Sequence, residues 1–305
     1  RNQAYSHMIF DSVRGATNVI NSNITAAQSS SDGFLKSFDT EGFGLGGDFS
    51  VNRGSYPFIS WNWKAGGAPD ATNSGGQTPT LGSKMVDGVA STANFATSTS
   101  YPLRQSVNSS AGFSITTITK SASGIALEVP HGLNSPPELI MLKTTDSTDD
   151  WNQWHTEIGT GAYLSTSRNG GNDAATASSG FGFTVVNNDI IRNQWTTPSR
   201  TWVCYAWHSV AGYSKIGFYE GNGSSGGQSI TNLGFDPTFV MLKAIDSSAA
   251  WRITDSSRGD NIYLYANLAN IDDSASGYVS LITDGFRLNG LDSNQSQTFI
   301  YMAFA

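Results

Sequence analysis

The sequence predicts an all-β protein built from tandem sandwich-like units. Three observations predict it: a low charged fraction, dense glycine and asparagine punctuation, and a set of motifs that returns at a fixed spacing. Only 13% of the 305 residues are charged, against ~25% in ordinary soluble proteins, and helical bundles draw on the Glu, Lys, Leu and Ala that are scarce here. The 33 glycines and the aromatic fraction of 11% suit short strands joined by tight turns.

Charge and cysteine content narrow the function classes. A net charge of −7 with no run of Lys or Arg argues against a nucleic-acid face, which needs clustered cations against the phosphates. The single cysteine, Cys204, excludes a disulfide framework. No apolar stretch approaches the ~20 residues that cross a bilayer as a helix, so membrane insertion is not expected. The sequence opens on Arg1 without a signal-like pattern.

Repeats carry the organisation. Pro136-Pro137-Glu138-Leu139-Ile140-Met141-Leu142-Lys143 returns as Asp236-Pro237-Thr238-Phe239-Val240-Met241-Leu242-Lys243, and Trp151 returns as Trp251. Each unit opens on a Gly-aromatic-Ser strand at Gly112 or Gly212. Each closes on an aromatic strand, residues 201–207 or 298–304. These closing runs are apolar at nearly every position, which predicts central strands covered on both faces. A third copy stands at the N-terminus: Asp11-Ser12-Val13-Arg14-Gly15 matches Asp255-Ser256-Ser257-Arg258-Gly259, Glu41-Gly42-Phe43 matches Asp284-Gly285-Phe286, and residues 57–63 are its closing strand.

The expected division is a truncated first unit (1–66), a Gly/Ser/Thr-rich linker (67–111), a second unit (112–210) and a third unit (211–305). For the linker, an ordered crossing of the neighbouring unit competes with a small extra hairpin. The first copy lacks an opening strand and a Met-Leu-Lys strand, so the chain reads as a fragment of a longer polypeptide. Its missing strands are expected from upstream chain or from a neighbouring subunit.

These motifs together resemble a repeat-containing family of tail fibre and tail structural proteins of tailed bacteriophages from marine and freshwater hosts. The likeness rests on residues 10–15, Ser60-Trp61-Asn62-Trp63-Lys64-Ala65-Gly66-Gly67, residues 112–115, Val129-Pro130-His131-Gly132-Leu133 with Pro136-Pro137, and residues 299–304. The resemblance implies a virion component of the distal tail with host-surface recognition, extracellular and without a cofactor. It also implies a homotrimer in contact with other tail proteins and with host polysaccharide or lipopolysaccharide. A capsid fibre or decoration protein is the alternative, and a polysaccharide depolymerase tailspike a more distant one.

No catalytic or metal constellation emerges from the residues. His7, His131, His155 and His208 form no pair at metal-ligand spacing, and His131 reads as a turn residue. A glycan-cleaving site needs two carboxylates about 5 to 10 Å apart. The densest cluster is Asp146, Asp149, Asp150 and Glu157, of which only Asp146 keeps a carboxylate in the third unit, at Asp246. Asp11 and Asp255 are expected to cap turns that Arg14 and Arg258 brace, whereas the second unit carries His155, Ile158 and Gly159 at the aligned positions. Cys204 reads as a core residue, and Trp151, repeated as Trp251, as a core anchor. Trp154 and Trp195 lie beside polar sequence and lack third-unit counterparts, which makes them the glycan-binding candidates, since flat aromatic faces stack on sugars.

Overall fold

The computed structural model describes residues 4–120, 125–166, 176–177, 182–194, 199–274 and 279–305. It is all-β, and its units repeat one sheet arrangement. In the third unit the closing strand Thr298–Phe304 lies between the opening strand Ser214–Glu220 and the Met-Leu-Lys strand Phe239–Ala244, antiparallel to both. Arg252–Asp255, Ile262–Tyr265 and Asp273–Ser274 extend the sheet. A smaller sheet of Gln228–Thr231, Gly285–Leu288 and Val279–Ile282 packs over one face.

The second unit repeats this order. Phe113–Thr119, Thr201–Trp207, Leu139–Thr144 and Asn152–His155 stand in the same succession. Leu127–Pro130, Ile190–Asn193 and Phe183–Val186 form the small sheet. Ile140 faces Ala206 and Val240 faces Ala303 across the ladder, so the two Met-Leu-Lys segments occupy equivalent strands.

The apolar closing strands follow from burial on both faces, because successive side chains in a strand point to opposite sides. Phe299, Tyr301 and Ala303 enter the core beneath the third unit's small sheet, with Val240, Leu242, Phe286 and Leu288. Trp202, Cys204 and Ala206 enter the corresponding core of the second unit. The alternate residues, Val203, Tyr205 and Trp207 with Ile300, Met302 and Phe304, meet in one core shared by all three units. The first unit contributes Val13 and Ile20 there, with Ile9, Trp61, Trp63 and Ala65 packed against it.

Two expectations are corrected, the first in part. Of the two readings of residues 67–111, the structure shows the extra hairpin, Lys84–Val86 with Val89–Ala90, and more than that: Lys84–Val86 runs parallel to Pro102–Asn108, which pairs antiparallel with Phe113–Thr119. The segment therefore widens the second unit's sheet, and its Val107 is fully buried in that unit's core. Gly66 makes the approach possible, since a Cβ there would stand 1.8 Å from the Val107 carbonyl oxygen. The second correction concerns residues 57–63, which form no strand. They run beside the shared core without a ladder, because the two strands that flank the closing strand in the other units have no counterpart in the first.

The rest of the first unit is a three-stranded sheet of Met8–Ile9, Asn18–Asn21 and Ser29–Ser30 and a hairpin of Leu35–Asp39 with Gly42–Leu45.

Candidate functional site

A dense set of buried polar contacts lies where the units meet. In the first unit Asp11 Oδ1 accepts the backbone N–H of Val13 at 3.0 Å and of Arg14 at 2.8 Å, while Arg14 Nε donates to Asp11 Oδ2 at 2.5 Å. Arg14 also donates to the Ile9 carbonyl at 3.0 Å. The third unit repeats this turn: Asp255 Oδ1 accepts from Ser257 and Arg258 at 3.1 Å, Arg258 Nε donates to Asp255 Oδ2 at 2.7 Å, and Arg258 reaches the Ile253 carbonyl at 3.0 Å. A short acidic side chain satisfies turn N–H groups in this way, and the Arg fork neutralises the buried carboxylate.

Each turn is locked by a neighbouring unit. The Tyr205 hydroxyl of the second unit donates to Asp11 Oδ2 at 2.6 Å and accepts from Arg14 at 3.1 Å. Trp61 Nε1 of the first unit donates to Asp255 Oδ2 at 3.3 Å, with the Arg258 guanidinium 5.8 Å from the Trp61 ring. Counting back from the ends of the closing runs, Trp61, Tyr205 and Met302 are equivalent positions. Burial works against the Arg14 charge, but Tyr205 and Asp11 outweigh it, and the Tyr205 phenol is pushed well up by its burial.

The second unit completes the cycle by other means. His155 stands where Asp11 and Asp255 stand, and its Nδ1 accepts the Glu157 N–H at 3.1 Å, the same turn contact made by an imidazole. Its Nε2 faces the backbone of Gly217 and Tyr301 in the third unit without a well-formed hydrogen bond. Burial lowers its pKa to about 4, so it is neutral near pH 7. The facing closing strand offers Met302, which has no donor for a carboxylate. First unit on second, second on third and third on first, the three turns run head to tail around the shared core. Further bonds tighten the same seams: Trp151 Nε1 to the Asn21 carbonyl at 2.9 Å, Ser22 Oγ to the Ala266 carbonyl at 2.5 Å, and His7 Nε2 with the Leu268 carbonyl at 3.1 Å.

Of the glycan-binding candidates, Trp195 lies outside the described residues. Trp154 is corrected: it is 5% exposed, packs near Phe183 with ring centroids 6.4 Å apart, and donates Nε1–H to the Gly159 carbonyl at 2.7 Å. Its sequence neighbours Gln153 and His155 are themselves buried, so a polar context in sequence did not mean a wet one. An edge of Trp154 does reach a pocket of about 340 Å³ whose rim includes Glu138, Thr156, Val186 and His208. Glu138 Oε2 there accepts from Ser209 N–H at 2.5 Å, and His208 Nε2 meets Asn134 Oδ1 at 2.9 Å. Glu138 is the one carboxylate among the described lining residues, whereas glycosidic cleavage uses two.

Others of the candidates have structural roles. Asp146 and Asp246 accept from Thr201 and Thr298 N–H at 2.9 and 3.0 Å, tying the same loop to the same closing strand in both units. His131 is buried, meeting the Asn187 carbonyl through Nε2 at 3.0 Å and accepting from Leu133 N–H at 3.1 Å, with burial lowering its pKa to about 4. Burial pushes the Cys204 thiol up. Among the described residues no cluster of His, Cys, Asp or Glu is arranged to hold a metal ion.

With this geometry in place, the family model for a domain of unknown function, DUF7483, matches residues 1–100 and again residues 87–305. The chain belongs to this family. The double match agrees with the repeated architecture, and the two matches overlap within the residues that widen the second unit's sheet. No curated protein matches the chain. No solved structure matches it.

Proposed function

We propose that the chain is a non-enzymatic structural and adhesive module of a virion tail fibre. The observation that carries this reading is the structural use made of several strongly perturbed buried groups. Arg14 and Tyr205 are spent on fastening one repeat to the next, His155 on holding its own turn while buried at a seam, and His131 and Cys204 on packing within a repeat. Catalytic sites instead hold such groups poised in a cleft toward a substrate. Repeats closed around one buried core make a rigid structural module, and the motif resemblance to phage tail proteins supplies the setting. A homotrimer in contact with host-surface glycan is part of the same proposal, since linked weak sites gain ~10² to 10⁴ in avidity.

The test is gold-labelled antibody against the chain, applied to phage particles that encode it, with a binding and reducing-end assay on host surface polysaccharide. Label at the tail tip and glycan capture without new reducing ends is the expected result. Label on the capsid would favour a decoration protein, and new reducing ends would favour a depolymerase. Light scattering should give three times the chain mass of 32.4 kDa; a monomer at micromolar concentration removes the trimer.

A further inference from the structure

The first unit presents a closing segment with both edges unpaired. In the two complete units that segment is held on one side by the opening strand and on the other by the Met-Leu-Lys strand. Residues 57–63 keep the corresponding course, with Ile59, Trp61 and Trp63 half-buried and Phe58, Ser60 and Asn62 exposed. Among the described residues no backbone N–H or C=O of 57–63 is paired with another backbone group. Met8–Ile9, the counterpart of Arg252–Asp255, pairs only with Asn18–Asn21, whereas Arg252–Asp255 also pairs with the Met-Leu-Lys strand.

Side chains show the same gap in cover. Leu288 and Phe299 are 0% and 1% exposed beneath Val240, Leu242 and Ala244 of their Met-Leu-Lys strand. Their first-unit equivalents, Leu45 and Phe58, are 39% and 43% exposed. Two strand edges and an apolar face that would share one additional strand thus stand open together. Unpaired edges of this kind accept strands by β-augmentation, the backbone giving affinity and the alternate side chains specificity.

We propose that the edges of residues 57–63 and Met8–Ile9 take up a Met-Leu-Lys-type strand of a DUF7483 repeat carried by a polypeptide segment other than residues 1–305. The third unit fixes the register. Phe239 pairs with Phe304, Lys243 with Ile300 and Ala244 with Phe299, so the incoming strand sets its aromatic opposite Trp63, its lysine opposite Ile59 and the next residue opposite Phe58. Its alternate aliphatic side chains then cover Leu45 and Phe58.

The experiment uses the full chain and a synthetic peptide of the sequence of residues 236–246, with amide hydrogen exchange read by mass spectrometry. Exchange at Ile59, Trp61, Trp63 and Met8, the amides equivalent to those of the third unit that face its Met-Leu-Lys strand, is expected to be fast in the chain alone and at least tenfold slower with peptide. A scrambled peptide should have no effect. In the third unit the backbone groups of Ile300, Met302 and Phe304 face the Met-Leu-Lys strand and those of Tyr301 face the opening strand. Ile59→Pro, at a half-buried position, therefore removes a donor aimed at the incoming strand and should weaken peptide binding at least tenfold. Ser60→Pro removes a donor on the opposite edge and should leave binding unchanged. Three outcomes overturn the proposal: the amides of Ile59, Trp61 and Trp63 already protected in the chain alone, no change at millimolar peptide, or protection that rises with protein concentration without peptide. The last assigns the edge to a second copy of this chain. None of these readouts depends on glycan binding or on virion location.

Discussion

The Tyr205 hydroxyl and Asp11 Oδ2 lie 2.6 Å apart although 194 residues separate them in the chain. This bond and the Trp61–Asp255 bond fasten two of the three seams of a ring closed within a single polypeptide, and the buried His155 ring packs against the backbone of Gly217 and Tyr301 at the third. A head-to-tail contact closes when its rotation returns to the start, and here the third unit meets the first.

Removing the Tyr205 hydroxyl should cost stability at one seam only. Tyr205→Phe leaves Asp11 paired with Arg14, so a loss of about 1 to 2 kcal/mol is expected. Arg14→Met strips the countercharge from a buried carboxylate and should cost about 3 to 5 kcal/mol. Urea denaturation midpoints at constant slope check both, and equal losses would mean that the hydroxyl and the guanidinium do not act in the order described.

Stability should depend on pH through the buried imidazoles. His155 and His131 have folded pKa values of about 4, below the ~6.5 of an exposed histidine. The unfolded chain therefore binds the protons first as pH falls. The contribution is intact above pH 6.5 and is lost progressively between 6.5 and 4, by on the order of 3 kcal/mol per residue. His155→Asn keeps an acceptor for the Glu157 N–H and does not titrate, so it should remove about half of that slope in a series of melting curves. An unchanged slope would place the titration elsewhere.

A lysine produces a second window of the same sign. Burial lowers Lys143 to about 8, against the pull of Asp149, Asp150 and Asp146, and its Nζ donates to the Thr144 carbonyl at 3.0 Å. Because the folded state releases this proton earlier than the unfolded one, stability should rise between pH 8 and about 10. Lys143→Met should flatten that rise, which denaturation at pH 8 and pH 10 reads directly.

Gly66 tests the join between the first unit and the widened sheet. Any side chain there meets backbone, the Val107 carbonyl at 1.8 Å, and backbone in the middle of a paired strand cannot step aside. Gly66→Ala should cost about 1 to 3 kcal/mol or more. Gly76, with nothing near its Cβ position, is the control, and equal melting temperatures for the two variants would sink the argument.

Trp154 separates packing from recognition. Trp154→Ala should cost about 3 to 5 kcal/mol as a core truncation, while Trp154→Phe loses chiefly the bond to the Gly159 carbonyl, about 1 kcal/mol. If Trp154→Phe abolished glycan capture at full stability, the ring would be a recognition surface after all.

The strands were legible because their signals are local. The apolar closing runs, the Met-Leu-Lys repeat and the Asp-x-x-Arg turn all sit within a few residues. The ring was not legible, since nothing in a 100-residue offset says which unit docks on which. One signal of it is present in the sequence. The second unit alone lacks the Asp–Arg pair, and the third closing strand alone carries Met302 where the others place a side-chain donor. Trp154 misled for a related reason: its polar neighbours Gln153 and His155 are buried, which looks like solvent from the sequence. The segment 67–111 misled through its Gly and Ser content, which hid the buried strand Pro102–Asn108.

The unlike chemistry of the three seams acts as an address. Tandem copies of one fold are prone to dock on the wrong sibling, and identical seams would allow it. Seating the Asp11–Arg14 turn on Met302 would leave its carboxylate without the Tyr205 hydroxyl. Seating the His155 turn on Tyr205 would leave that phenol facing an imidazole instead of an ion pair. The Asp11–Arg14 turn finds its hydroxyl partner only on Tyr205 and the Asp255 turn its indole donor only on Trp61, so the seams are not interchangeable and favour one order in which the parts come together.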